Sequence, residues 1–363
     1  VVPAGALSQA GRHRVFLITD RSVLQSLLKE ATLLPVDLAA LIAMRARAQG
    51  FDPSPLLEFV AANPITQSGR SHRDARARFN DHHQTIRKRL QDTLPALVRS
   101  HFQSVIDNRP TGSVARHLAQ VFVDRVLATV FACEHPELVP FYHLLAQRRE
   151  QVFAFLHHPD RLADLSRLLA QAREQAAVLV GHERFSLLLA YVLQGRDPLI
   201  GGLGAVVQGL VEVQPTARDH ALRRLTPAVL FDQAAPVNYV VLEASSRVSL
   251  PDGHEAHLGD LLVLMLGCAA TGAQTNPVES LAFGGGRHVC AGRALALEVT
   301  GQWLAGLRAA HHGIDWSRLR RDRAVGSAFV AWSERRDSAS VGQLQREHSK
   351  CPIFGPRGPQ DPT

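Results

Sequence analysis

The chain has 363 residues, 46% of them hydrophobic and 20% charged, with 26 glycines and 20 prolines. Those proportions belong to an ordinary globular protein with a sizeable core and exclude collagen, coiled coil and wholesale disorder. The formal net charge is +7 and only 6% of residues are aromatic. The arginines are spread along the chain, so the concentrated basic face with interleaved aromatics that grips nucleic acid is missing, and an acidic protein partner suits the surface better.

No apolar run reaches the roughly 20 residues needed to cross a bilayer. The longest candidate, Pro198 to Val213, is broken by Gln208 and by glycines and alanines, so no membrane is expected as a partner. Cys133, Cys268, Cys290 and Cys351 form no CxxC pair. That argues against a disulfide framework or a zinc ribbon and fits a reducing, cytoplasmic setting. The chain begins Val1-Val2-Pro3, with no basic-then-apolar signal pattern and no initiator Met, as a trimmed start would.

In chain order, Arg14 to Asp20 predicts a strand and a cap, followed by a helix whose Val23, Leu24, Leu27 and Leu28 share a face. From Asp37 to about Leu210 the apolar period is helical, through Leu38, Leu41, Ile42 and Met44, then Val114 to Phe131, then Leu162 to Val178. Asn63 to Gly69 and Glu134-His-Pro-Glu read as breaks. After Pro227 the texture changes to Val229-Leu-Phe, Tyr239-Val-Val-Leu and Val248-Ser-Leu-Pro-Asp-Gly, which predicts a small antiparallel β region. A loop from Phe283 to Gly292 leads into a last helix, Arg293 to about His312, with Leu295, Val299, Trp303 and Leu307 on one face and Gly313 as its stop. The fold class is mainly α with a small antiparallel β region, in a single domain over 1–350 with a Pro/Gly-rich tail over 351–363.

The informative stretch is Phe283-Gly-Gly-Gly-Arg-His-Val-Cys-Ala-Gly292. Consecutive glycines permit positive φ and close approach to a flat partner, and a cysteine just ahead of a helix lies where amide N–H groups and the helix dipole favour a thiolate. No Lys-Ser/Thr follows, so a phosphate loop is rejected, and no second Cys/His pair lies at zinc spacing.

This segment resembles the haem-ligand loop of the cytochrome P450 superfamily, Phe-Gly-x-Gly-x-(Arg/His)-x-Cys-x-Gly, with Phe283, Gly284, Gly286, His288, Cys290 and Gly292 at its fixed positions. The resemblance implies a haem b cofactor with Cys290 as the iron ligand, His288 on a propionate, Phe283 shielding the thiolate side and Gly292 letting the next helix pack beneath the ring. It also makes His72 and Arg76, four apart on one helical face, similar to the family's propionate-binding pair.

Two parts depart from the family pattern. Where an acid and a threonine should follow Ala-Gly, the chain reads Gln194-Gly-Arg-Asp197-Pro198, so Asp197 keeps the acid while Pro198 supplies neither hydroxyl nor N–H. Pro198 is expected either to leave the Gln194 carbonyl unpaired and kink the helix, or to end one helix and start another. The expected Glu-x-x-Arg retains only an arginine, Arg223 or Arg224, for which Asp219 is the candidate partner. The loop from Cys268 to Ser280 is short for the family, and Arg247 is the nearest, poorly placed, candidate for a second propionate. Val229, Leu230 and Leu193 are candidate pocket residues.

The function the resemblance implies is monooxygenase-like oxidation of an apolar or carrier-bound small molecule, with a ferredoxin-type electron donor on the basic face. The alternatives are a peroxide-using or redox-neutral haem-thiolate enzyme and a non-catalytic haem-binding relative.

Overall fold

A computed structural model describes residues 14–147, 162–250, 253–269, 281–325 and 331–333. Most of the loop from Cys268 to Ser280 and the tail from Cys351 lie outside these residues.

The chain opens with β1 (Val15–Ile18), and Asp20 caps α1 (Arg21–Leu27) by accepting from the Val23 N–H, as the strand, cap and helix reading expects. After β2 (Leu33–Pro35), Asp37 caps α2 (Leu38–Gln49) in the same way, and α3 (Ser54–Ala62) follows. The next helix, α4 (Gly69–Asn108), is 40 residues long with Pro95 inside it, about 60 Å from end to end. Its buried stripe, Ala75, Phe79, Ile86, Leu90, Leu94, Val98, Phe102 and Val105, keeps the three-and-four spacing of a helix with one face in the core.

β3 (Gly112–Ser113) and a π turn over Arg116–Gln120 lead into α5 (Val121–Glu134). Then come α6 (Val139–Gln147), α7 (Leu162–Val180), α8 (His182–Ala190), a π turn over Tyr191–Gly195 and α9 (Arg196–Glu212). Two short helices, α10 (Pro215–Arg224) and α11 (Pro227–Ala234), precede the strands. The Val229-Leu-Phe run is therefore helical, not extended. Thr226 accepts from the Val229 N–H and Pro227 occupies the first turn, so cap chemistry overrides the β-branched texture.

The strands β4 (Val240–Ala244), β5 (Val248–Ser249), β6 (Glu255–Ala256) and β7 (Leu261–Leu264) do not form a local antiparallel unit alone. Only β5 and β6 make a separate hairpin. The main sheet is mixed, in the order β1-β7-β4-β2, with β1 parallel to β7 and the other pairs antiparallel. Arg14 pins its edge, donating from its backbone N–H and guanidinium to the Asp260 carboxylate at 2.7–3.1 Å. Leu24 and Leu27 of α1 pack with Leu33, Leu262 and Leu264 into a small apolar cluster at the sheet, beside a far larger helical core.

After a short α12 (Leu266–Ala269), the last helix is α13 (Arg293–Ala310). It lies parallel to α4, with contacts in step along both: Arg76 with Val289, Arg87 with Glu298, and Val98 beside Gly306. Trp303, fully buried, donates from Nε1 to the Leu118 carbonyl at 2.9 Å and fixes the rotation of α13 about its own axis. Among the described residues no single helix is long and apolar enough to cross a membrane.

Gly306 sets how closely the two helices approach, because a Cβ there would stand 2.2 Å from Val98 Cγ1 and 2.9 Å from the Phe102 ring. Gly306→Ala is expected to lower stability by about 1–3 kcal/mol through overpacking, since Val98 is stiff at χ1. Gly209→Ala, at an exposed helical position with open space around it, is expected to gain about 0.5–1 kcal/mol from helix propensity. Urea midpoints of the two variants moving in the same direction would contradict this account.

Candidate functional site

The parallel alignment of α4 and α13 brings the first turns of both helices to one end. Phe283 to Gly292 folds there as a tight loop closed by the Cys290 N–H donating to the Phe283 carbonyl at 2.7 Å. Gly284 and Gly286 hold φ of +70° and +58°, as the glycine run predicts. The close approach at Gly286, however, is to the chain itself: a Cβ would meet the Leu28 carbonyl oxygen at 2.5 Å, so the loop is seated on the end of α1.

Cys290 is crowded by surrounding protein atoms, yet its side chain is exposed. A Cβ built on Gly292 meets only the Cys290 sulfur, at 3.8 Å, so the space beside the thiol is left open by the fold. Burial pushes the thiol pKa up, against hydrogen bonds from the Gly292 and Arg293 N–H groups and the charges of Arg76 and Arg293. The amides at the start of α13 do favour the thiolate, as expected, but desolvation opposes them, and a bound cation would favour the deprotonated sulfur further.

His72 and His288 meet beside this loop with ring centroids 4.4 Å apart. His72 Nε2 and both His288 nitrogens are buried without a hydrogen-bond partner. Arg76, one turn along α4 from His72, donates to the Val289 carbonyl. Burial is the leading cause that lowers both imidazole pKa values, helped by neighbouring Arg76 and Arg287, and His288 falls to about 4. Unpaired imidazole nitrogens next to a guanidinium form a receptor for an anion.

Phe283 is buried edge-on against Phe231, centroids 5.0 Å apart, and under the Arg293 guanidinium at 5.7 Å. Leu230 and Phe231 in turn press on Gly202 of α9, which links the cysteine loop to the long central helix.

No protein-family model matches the chain, and no curated protein matches it by sequence. Solved structures do. P450BioI, solved with an acyl carrier protein ligated to hexadec-9Z-enoic acid, is 14% identical with TM-score 0.64, covering 88% of this chain and 90% of that one. OxyC, a cytochrome P450 implicated in oxidative C–C coupling in vancomycin biosynthesis, is 15% identical with TM-score 0.60 over 91% and 88%. CYP109B1 from Bacillus subtilis is 13% identical with TM-score 0.63 over 92% and 97%. The chain has the cytochrome P450 fold.

Within this P450-like fold the donor set fits a haem. The thiol opens on a space and the unpaired imidazoles with Arg76 suit a carboxylate, which are the two ends a haem presents.

Of the two expectations at Pro198, the boundary between separate helices is not what the structure shows. The helix carrying Asp197 is not broken at Pro198. The chain stays helical from His182 to Glu212 and widens into the π turn over Tyr191–Gly195, where the Arg196 N–H reaches the Tyr191 carbonyl. A wider turn accommodates a ring that has no N–H to offer.

Asp197 is held by Arg196, a residue sequence reasoning passed over. The Arg196 side chain is 2% exposed. It forks onto Asp124 of α5 through Nε (2.7 Å) and Nη2 (3.0 Å), and onto Asp197 through Nη1 (2.9 Å). The Tyr142 hydroxyl also donates to Asp124. Burial disfavours the Arg196 charge, but the Asp124 carboxylate more than compensates and keeps the guanidinium protonated. A charged residue in the apolar run from Phe185 to Leu210 was the available signal, since such a residue requires a partner.

The expectation of a buried arginine partnered by Asp219 is also corrected. Arg223 and Arg224 are exposed, so neither is a buried arginine in need of a counterion. Asp219 pairs instead with His311 and His312. Arg247 pairs with Glu255 in the β5–β6 hairpin.

Arg196→Met is expected to cost about 3–5 kcal/mol, because it strands Asp124 and Asp197. Denaturant unfolding unchanged by this substitution would contradict the buried triad. A second expectation concerns pH. His83, His101 and His288 sit near pKa 4, chiefly by desolvation. In the unfolded chain they titrate near 6.5, so the unfolded state binds more protons between these values. The cofactor-free chain should therefore be most stable above pH 6.5 and lose stability steadily as pH falls towards 4. Urea midpoints between pH 6.5 and 5.5, above most carboxylate titration, should already decline.

Proposed function

We propose that this protein is a haem-thiolate enzyme that oxidises a small apolar or carrier-bound organic molecule. The observation that carries the reading is the convergence of Cys290 with His72, Arg76 and His288 at the shared end of α4 and α13. When bound, haem supplies iron whose reactivity towards oxygen is raised by electron density from the thiolate.

The chain's own residues have separable roles in this reading. Cys290 is the iron ligand, and the Gly292 and Arg293 N–H groups temper the charge on its sulfur. His72, Arg76 and His288 orient the haem through a propionate. Phe283 excludes water from the thiolate side, and Gly284, Gly286 and Gly292 shape the loop. Leu193, Val229 and Leu230 are the proposed pocket residues, and a ferredoxin-type protein is the proposed electron donor.

A second reading is favoured by a specific observation. Pro198 has no hydroxyl at the position where the family pattern has one, and Asp197 is tied into the Arg196 pair. A proton route through this pair is weakened, which suits a peroxide-using or redox-neutral reaction on the same haem.

The test is the absorption spectrum of the haem-loaded protein, reduced under carbon monoxide. A strongly red-shifted Soret band is expected, lost in Cys290→Ser and kept in Cys133→Ser. His72→Ala and Arg76→Ala should each release haem at least tenfold faster, measured by transfer to apomyoglobin. Absence of a thiolate-type band would overturn the reading and favour a non-catalytic relative. Given that band, turnover with reduced ferredoxin against turnover with peroxide separates the two reactions.

A further inference from the structure

Asp219, which the family pattern leaves without a task, sits in the one three-residue cluster of metal-ligating side chains found among the described residues. Its carboxylate Oδ1 lies 2.7 Å from His311 Nε2 and 3.5 Å from His312 Nε2, and the three ligand atoms fall within 4.8 Å of one another. We infer that Asp219, His311 and His312 form a binding site for a zinc-class divalent cation at the end of α13 remote from Cys290.

The distances suit such an ion. With bonds of about 2.0–2.2 Å, neighbouring ligand atoms around zinc are about 3.3–3.5 Å apart in a tetrahedron. The His312 to Asp219 separation already has that value. The His311 to Asp219 separation is that of a hydrogen bond and opens by less than an ångström on a rotation of the Asp219 carboxylate. Two imidazoles with one carboxylate select Zn2+, Co2+ or Ni2+ over Ca2+ and Mg2+, which prefer all-oxygen shells.

The surroundings are those of a built site with an open side. The His311 side chain is 4% exposed, and its backbone carbonyl accepts from Trp316 Nε1 at 2.9 Å, which fixes the base of the ring. Arg218, the neighbour of Asp219, is turned away. Its guanidinium lies 4.9 Å over the Trp316 ring and its Nε donates to the Leu210 carbonyl, so it does not compete for the carboxylate. The His312 side chain is 73% exposed, which leaves an approach for the ion and room for water to complete its coordination.

A cation here would tie α10 to the end of α13, next to the existing link from Arg308 Nε to the Leu222 carbonyl. The site stands independently of haem, and so does its test. Equilibrium dialysis of the full chain against Zn2+ should find one tight equivalent, weakened at least tenfold in His312→Ala and in Asp219→Asn. Zinc should raise the thermal midpoint of the wild type and not of either variant. His312 is exposed, so its loss leaves the fold intact, and Asp219→Asn retains a hydrogen-bonding side chain for His311. Zinc bound equally by all three proteins would place it on other histidines of the 18 in the chain and overturn the inference, as would absence of a tight equivalent in the wild type.

Discussion

The parallel crossing of α4 and α13 is the contact on which the rest depends. Gly306 lets the helix axes approach against Val98 and Phe102, and Trp303 locks the rotation through the Leu118 carbonyl. Once separation and rotation are set, contacts follow in order along the two helices, from Val98 and Gly306 through Arg87 and Glu298 to Arg76 and Val289, just ahead of α13. His72 and Arg76 then face the loop that ends at Cys290, without any local interaction strong enough to bring them there alone. The candidate site is thus assembled by packing about 20 Å away along α13 and about 33 Å away along α4, at roughly 1.5 Å of rise per residue.

Electrostatics around Cys290 and around Arg196 follow opposite strategies. Beside Cys290 the fold leaves imidazole nitrogens unpaired and neutral, a costly arrangement that makes sense for residues meant to meet an anion. Around Arg196 the polar groups meet in ion pairs and hydrogen bonds, with Asp124 shared between the guanidinium and Tyr142. The first region is poised for a ligand, and the second is closed on itself. Asp197 belongs to the closed region through the hydrogen bond it accepts from Arg196 Nη1.

Much of the helical layout was legible before the structure. Capping residues Asp20 and Asp37, the apolar stripe of α13 and the fixed spacing of the cysteine loop are local signals, and local signals survive into the fold. The run at Val229 is helical despite its apolar texture, because the Thr226-Pro227 cap starts a helix there. The strands at β1 and β4 are legible from local pattern, but their pairing is not, since β1 pairs with β7 in parallel across more than two hundred residues. Nothing in either strand names its partner.

By itself the sequence determined the chemistry on offer: a cysteine behind a glycine loop, a histidine and arginine one helical turn apart, and a proline where a hydroxyl belongs in the resembled family. These follow from residue identity and short spacing, which bond geometry translates directly into local shape. Tertiary structure decided the pairings: His72 with His288, Arg196 with Asp124 and Asp219 with His311. Each joins residues on separate elements, and such a partner depends on helix separation, rotation and register, quantities set by the packing of the whole core rather than by any stretch of chain.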